Sequence, residues 1–192
     1  LTSEAVEAYF DARIAQQMVD GPVAGATVAV VQNGELLFAK GYGYADLAEQ
    51  RPVVAEETLF FPGSVGKLFT WTAVMQLAEQ GKLDLHVDVN EYLDFTVPAM
   101  LYQHRGEQAV EPITLAHLMT HTAGFEDQLA AIQDAGPDDH LPLEDFLIES
   151  MPARVYPAGQ WFAYSNYGTA LAGYIVERVS GLLSRPTSTR RS

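Results

Sequence analysis

Apolar residues recur at helical spacing over residues 3–20, with Val6, Tyr9, Phe10, Ile14 and Met18 sharing one side and Gly21-Pro22 closing the run. A stripe of that period predicts an amphipathic helix that ends at the Gly-Pro pair. The pattern then changes. Thr27 to Val31 is a β-forming run, Asn33-Gly34 follows it, and Glu35 to Phe38 forms a second run. Asn-Gly between two such runs predicts a tight hairpin, because both turn residues must take positive φ. Gly41-Tyr42-Gly43-Tyr44 continues or bulges the second strand.

Pro62 and Gly63 break the chain again, and a helix is predicted to begin at Ser64. Its residues Leu68, Phe69, Trp71, Val74, Met75, Leu77 and Ala78 are apolar on more than one face, which predicts a buried helix, and Gly81 supplies its stop. Three further helices are expected, over Leu115 to Thr120 behind a Thr114 cap, over Leu143 to Ser150, and over Asn166 to Ser180. The last has Leu171, Ile175, Val176 and Val179 on one face and Gly181 at its end. No further strand run is visible. Gln133 to Leu141 has the composition of an exposed acidic loop, and its Asp138-Asp139 pair reads as solvated. Ser184 to Ser192 is polar and fits neither a strand nor a helix. It reads either as a disordered tail or as the mark of a natural domain cut, or shifted in frame, near Gly181.

Composition narrows the class. At 192 residues and 48% apolar content the chain can bury a real core, as one domain or one with an insertion. A net charge of −14 argues against nucleic acid or an anionic membrane as partner. With no cysteine, disulfides and thiolate metal sites are excluded. No apolar run approaches the roughly 18 residues that span a bilayer. Leu1-Thr2-Ser3 shows no initiator Met, basic region or apolar signal core, which fits a processed protein or a trimmed one.

The candidate chemistry starts with Ser64-Val65-Gly66-Lys67. Residues at i and i+3 share a helix face, so the Lys67 amine can lie beside the Ser64 oxygen and take its proton. The predicted helix start also puts Ser64 at the positive end of a dipole, where a developing oxyanion is stabilised. The same four residues fit a serine N-cap with a lysine solvated one turn on. His117 and His121 are four apart on a predicted helix, a zinc-binding spacing, but residue 118 is Leu and no third ligand is evident. No metal and no cofactor is expected.

Three motifs fall in one order: Phe61-Pro62-Gly63-Ser64-Val65-Gly66-Lys67-Leu68-Phe69-Thr70, then Ile113 to Gly124 with its His121-Thr122-Ala123-Gly124, then Tyr164-Ser165-Asn166-Tyr167-Gly168 behind Pro157-Ala158-Gly159-Gln160. Together they resemble the class C β-lactamases and their D-alanyl-D-alanine carboxypeptidase and esterase relatives, the serine penicillin-recognising enzymes with a tyrosine in the second motif. The resemblance runs from about Pro22 to Gly181. It implies an antiparallel sheet flanked by helices, with an all-helical domain inserted and the catalytic serine at the seam. It implies Ser64 as acylated nucleophile, Lys67 and Tyr164 as the pair that shares its proton, and Asn166 as holder of Lys67 and of the substrate's carbonyl side. A nearby ammonium would stabilise the Tyr164 phenolate. His121 falls in a structural turn of the family.

One element of the family is absent. Its Lys-Thr-Gly or His-x-Gly motif has no counterpart after Tyr164, since no Lys follows Lys82 and no His follows His140. The expected fold is therefore α+β and incomplete: a β-lactamase/transpeptidase-like arrangement of N-terminal helix and hairpin over 1–60, a catalytic helix with an all-helical domain over 61–183, and a non-native or disordered tail over 184–192, with the remaining sheet strands missing. The expected function is a serine hydrolase of a β-lactam, D-Ala peptide or ester, impaired as this fragment. The alternative is a non-catalytic fragment or pseudoenzyme that at most binds a ligand. By resemblance the location is periplasmic or extracellular. A small amide or ester is the expected partner, with self-association through the hairpin edge.

Overall fold

In a computed structural model, residues 1–98, 112–127 and 141–182 are described. The acidic stretch of residues 133–140 and the tail of 184–192 lie outside them. The chain divides into two compact units, Leu1–Pro62 and Gly63–Ser192.

The first unit begins with helix α1, Ser3–Asp20, whose N-cap Thr2 accepts the Ala5 N–H. Strands β1, Gly25–Gln32, and β2, Glu35–Asp46, form the predicted hairpin. Asn33 at φ +54 and Gly34 at φ +82 make its turn. The register pairs Gln32 with Glu35 and Val28 with Lys40, with one irregularity at Val30/Val31. A short strand β3, Arg51–Pro52, pairs with Tyr44 and Asp46. The sequence pattern does not show it, because two residues carry no period and proline suits only an edge. The described sheet runs β1-β2-β3, which leaves β1 at one edge. Between α1 and the sheet, Phe10 stacks on Phe38 with ring centroids 6.1 Å apart. Lys40 Nζ donates to Glu7 at 2.7 Å and to Asp11, and the Tyr42 hydroxyl donates to Asp11 at 2.9 Å. Val6, Phe38 and Val53 are this unit's buried apolar side chains.

The second unit is helical. A 3₁₀ turn, Gly63–Gly66, leads into α2, Lys67–Glu79. Then come α3, Leu115–Met119, α4, Leu143–Glu149, and α5, Asn166–Ser180. Helix α5 matches its predicted span. Ser165 caps it by accepting the Gly168 N–H at 3.0 Å, and left-handed Gly181 ends it. Leu171 and Ile175 of its predicted face are fully buried, and Val176 and Val179 partly so. They join Val74, Leu77, Leu115, Leu118, Phe125 and Leu147 in one core cluster. Isolated bridges tie Asp88 to Thr114 and Phe125 to Arg154.

Helix α2 differs from its sequence reading in two ways. It starts at Lys67, because residues 63–66 wind more tightly as a 3₁₀ turn, a common way for a helix to begin. Nor is it buried all round: Val74 and Leu77 are, while Leu68, Phe69 and Met75 are exposed. No helix among the described residues is long and apolar enough to cross a membrane.

Candidate active site

The tight turn decides where the serine points. In a 3₁₀ helix residues i and i+3 eclipse, so Ser64 lies directly before Lys67, the first residue of α2. Lys67 Nζ donates to Ser64 Oγ at 3.1 Å. Gly66 occupies the cap position of α2 with no side-chain cap bond, so the serine hydroxyl is not spent as an N-cap. The alternative of a capping serine with a solvated lysine is thus not what forms.

Asn166 arrives from a second helix start. With Ser165 as cap, Asn166 is the first residue of α5, and its Oδ1 accepts from Lys67 Nζ at 2.7 Å. Two residues earlier, the Tyr164 hydroxyl donates to Ser64 Oγ at 2.8 Å. The Lys67 ammonium stands 4.9 Å from the centre of the Tyr164 ring. All four sequence-predicted residues therefore meet at one point within the second unit.

A turn after α3 holds the Tyr164 segment. Thr114 and His117 form a reciprocal capping box, with His117 Nδ1 accepting the Thr114 N–H. The helix ends at Met119, and His121 lies past it at φ +54. The two histidines are therefore not on one helical face, which corrects the zinc-like spacing read from sequence. Among the described residues no group of three or more His, Cys, Asp or Glu is placed to hold a metal. Gly124 takes φ +79, and a Cβ there would stand 2.0 Å from the Tyr156 carbonyl oxygen, so only glycine fits. Tyr156 and Val155 donate their N–H groups back to the Gly124 carbonyl, Gly159 donates to Thr122, and Ala163 donates to His121.

The site's electrostatics favour an anion at Tyr164. The Lys67 ammonium, and then the bond to Ser64, hold the Tyr164 phenol below its usual 10 against opposing effects of burial and of Asp127. His121 is lowered from 6.5 by burial and by the Lys67 charge. The starts of α2 and α5 both face this point, and helix N-termini stabilise negative charge. The arrangement places a cation and a phenol beside one hydroxyl, so that the phenol, once ionised, can take its proton and return it.

Sequence reasoning missed two participants. Ser165 is a buried cap that fixes the direction of Asn166, a role that a Ser before a helix start could have signalled. The His121 ring lies against the Tyr164 ring at 4.3 Å, a tertiary contact with no local signal. A groove of about 860 Å³ also runs between α2 and α5 from Lys67 and Asn166 to Gln80 and Leu182. Lys67 and Asn166 line it, while Ser64 and Tyr164 do not.

The family model for beta-lactamase matches residues 10–188. The chain belongs to the beta-lactamase family. Among similar proteins, Esterase EstB of Burkholderia gladioli is 31% identical over 94% of this chain and 47% of its own length. Protein flp of Staphylococcus aureus (strain N315) is 29% identical over 88% of this chain and 33% of its own. A solved class C beta lactamase superposes with a TM-score of 0.69 at 28% identity, covering 94% of this chain and 46% of that one. The chain thus spans a third to a half of the length of these relatives.

Proposed function

We propose that Ser64 is the nucleophile of a serine hydrolase that acts on a small amide or ester through an acyl-enzyme. The observation that carries this is Ser64 Oγ lying 2.8 Å from the Tyr164 hydroxyl and 3.1 Å from Lys67 Nζ. In this reading Tyr164, whose ionised form the ammonium favours, takes the Ser64 proton as Oγ attacks the carbonyl carbon. The C=O electrons move to oxygen, and on collapse the bond to the leaving amine or alcohol breaks. Tyr164 gives that group the proton. Water then repeats the sequence on the acyl-enzyme and releases the acid. Asn166 holds Lys67 and borders the acyl side. A β-lactam, a D-Ala peptide and an ester all fit this chemistry, with a periplasmic or extracellular setting as in the family.

A second reading rests on one sequence fact: no Lys-Thr-Gly or His-x-Gly follows Tyr164. By family resemblance the strand carrying that motif adds an oxyanion-hole N–H, and loss of one such donor costs on the order of 10²–10³ in rate. In this view the remaining sheet strands lie outside these 192 residues, and the chain alone is a binding fragment with an incomplete site. Mass spectrometry after treatment with a fluorophosphonate or a penicillin probe tests the assignment, on this chain and on any longer product of its coding sequence. Label is expected on Ser64 and none after Ser64→Ala. Label that survives the substitution, or maps to Ser165, refutes it. Turnover of a chromogenic cephalosporin or p-nitrophenyl acetate by the 192 residues alone is expected near background. A Ser64-dependent kcat of roughly 1–10³ s⁻¹ would remove the fragment reading.

A further inference from the structure

Two side-chain contacts of His121 converge on the Tyr164 segment. Its Nδ1 accepts the backbone N–H of Ser165 at 3.3 Å. Its ring lies 4.3 Å from the Tyr164 ring at a tilt of 34°. The same ring is flanked edge-on by Trp71 at 6.2 Å and Phe162 at 6.0 Å, so the imidazole sits in an aromatic slot. The fold itself does not require an imidazole there. The turn's hydrogen bonds use the His121 backbone, whose N–H donates to Leu118 at 3.2 Å and whose carbonyl accepts from Ala163 at 2.8 Å. At φ +54 a histidine is also costlier than glycine.

We propose that His121 is a positioning residue for Tyr164, fixing the phenol over Ser64 by its Nδ1 bond to Ser165 and by ring contact. The inference rests on the reading of Tyr164 as the group that shares the Ser64 proton. It also commits the imidazole to one chemical form. Nδ1 can accept only while unprotonated, so the proton of the neutral ring is on Nε2. Imidazolium has donors at both nitrogens and would set N–H against N–H at Ser165. Among the described residues the charged and titratable neighbours of this ring are Lys67 from α2 and Tyr164 from the segment before α5, with Ser165 donating to it, while Asp127 acts on Tyr164. Burial and the Lys67 charge both favour the neutral ring, in keeping with the acceptor role.

The test pairs His121→Gly, which relieves the left-handed backbone and removes both contacts, with His121→Asn, which keeps an acceptor near the Nδ1 position. Three quantities are read on the full chain: the rate of Ser64 labelling by a fluorophosphonate across pH, the titration of ¹³C-labelled tyrosine assigned through Tyr164→Phe, and the imidazole nitrogen shifts of His121. In the wild type, Nδ1 should read as an acceptor, and labelling should fall when His121 protonates at acid pH. His121→Gly should slow labelling roughly 10–10²-fold and alter the Tyr164 titration while the thermal transition persists. His121→Asn should recover part of the rate and lose the histidine's acid limb. Wild-type labelling and an unchanged Tyr164 titration in His121→Gly overturn the proposal, as does a proton found on Nδ1. If Ser64 never labels in the wild type, the nucleophile assignment fails, and the two NMR readouts still decide whether His121 governs Tyr164. Should His121→Gly not fold, the nitrogen shifts and His121→Asn decide it.

Discussion

The two units bury apolar surface very differently. The first holds an 18-residue helix against a three-stranded sheet with Val6, Phe38 and Val53 as its buried apolar side chains. The second gathers residues from each of its described helices into a single cluster, with Val74, Leu115, Leu171 and Ile175 wholly buried. A densely packed interior holds its side chains in well-defined rotamers. The candidate site is built inside the dense unit, where Lys67 and Asn166 are the first residues of two packed helices. In the thin unit, polar ties such as Lys40 to Glu7 and Asp11 take a larger share.

The sharpest way to break this contrast is at the site. Tyr164→Phe is expected to slow Ser64 labelling by roughly 10²–10⁴-fold, the usual worth of a general base. The wild-type rate should rise with pH to a midpoint below the ordinary tyrosine value of 10, because the Lys67 ammonium favours the phenolate. That limb should vanish in Tyr164→Phe. Phe38→Ala, in the other unit, should leave the labelling rate within about twofold, since all four candidate residues belong to the second unit. A large loss there would show that the dense unit does not hold the site by itself.

Stability gives the next largest effect. Leu171→Ala is expected to cost about 3–5 kcal/mol by chemical denaturation, because its side chain is fully enclosed. Native-state hydrogen exchange should show β1 and β2 opening at lower free energy than α5. Equal protection in both units would erase the comparison. Association comes third. Val31, 63% exposed on edge strand β1, is expected to promote self-pairing, and Val31→Lys should shift light scattering toward monomer. A wild-type chain that is already monomeric at micromolar concentration would refute that role for the edge.

The smallest effect is one of pH. Asp11 is held below its usual 3.8, first by the Lys40 bond and then by Tyr42, so its stabilisation is present above about pH 4 and fades as pH falls. Tyr42 is pushed up to about 12, first by burial and then by Asp11, so its contribution is full below pH 10 and is lost between about 10 and 12. Thermal melts across pH should lose the acid slope in Asp11→Asn and keep a reduced alkaline slope, because burial still raises Tyr42. Unchanged slopes would mean that these exposed ties do not hold α1 to the sheet.

Much of this could be read from residue order because the signals are local. The 3.6-residue stripe of α1, the Asn33-Gly34 turn and the face and stop of α5 each come from neighbours in sequence. The meeting of Ser64, Lys67, Tyr164 and Asn166 followed from family motifs rather than from periodicity. Other features had no local cause to read. The exposure of Leu68 and Phe69 depends on what packs against α2, and their hydrophobicity alone predicted burial. The left-handed φ of His121 and its contact with Ser165, 44 positions away, could not be seen in a helical wheel. The two-residue β3 is too short to carry a pattern.

The bond from Lys67 to Asn166 joins residues 99 apart. Its partners each open a helix, so neither can be aimed until its own helix has been wound and the two have docked. Closing so long a loop is an entropic cost that local contacts do not share. During synthesis, which runs from the N-terminus, Ser64 leaves the ribosome long before Tyr164 and Asn166 exist. For that interval the serine has the reactivity of an ordinary alcohol. On the proposed role of Ser64, its activation therefore waits until α5 has been made and has docked.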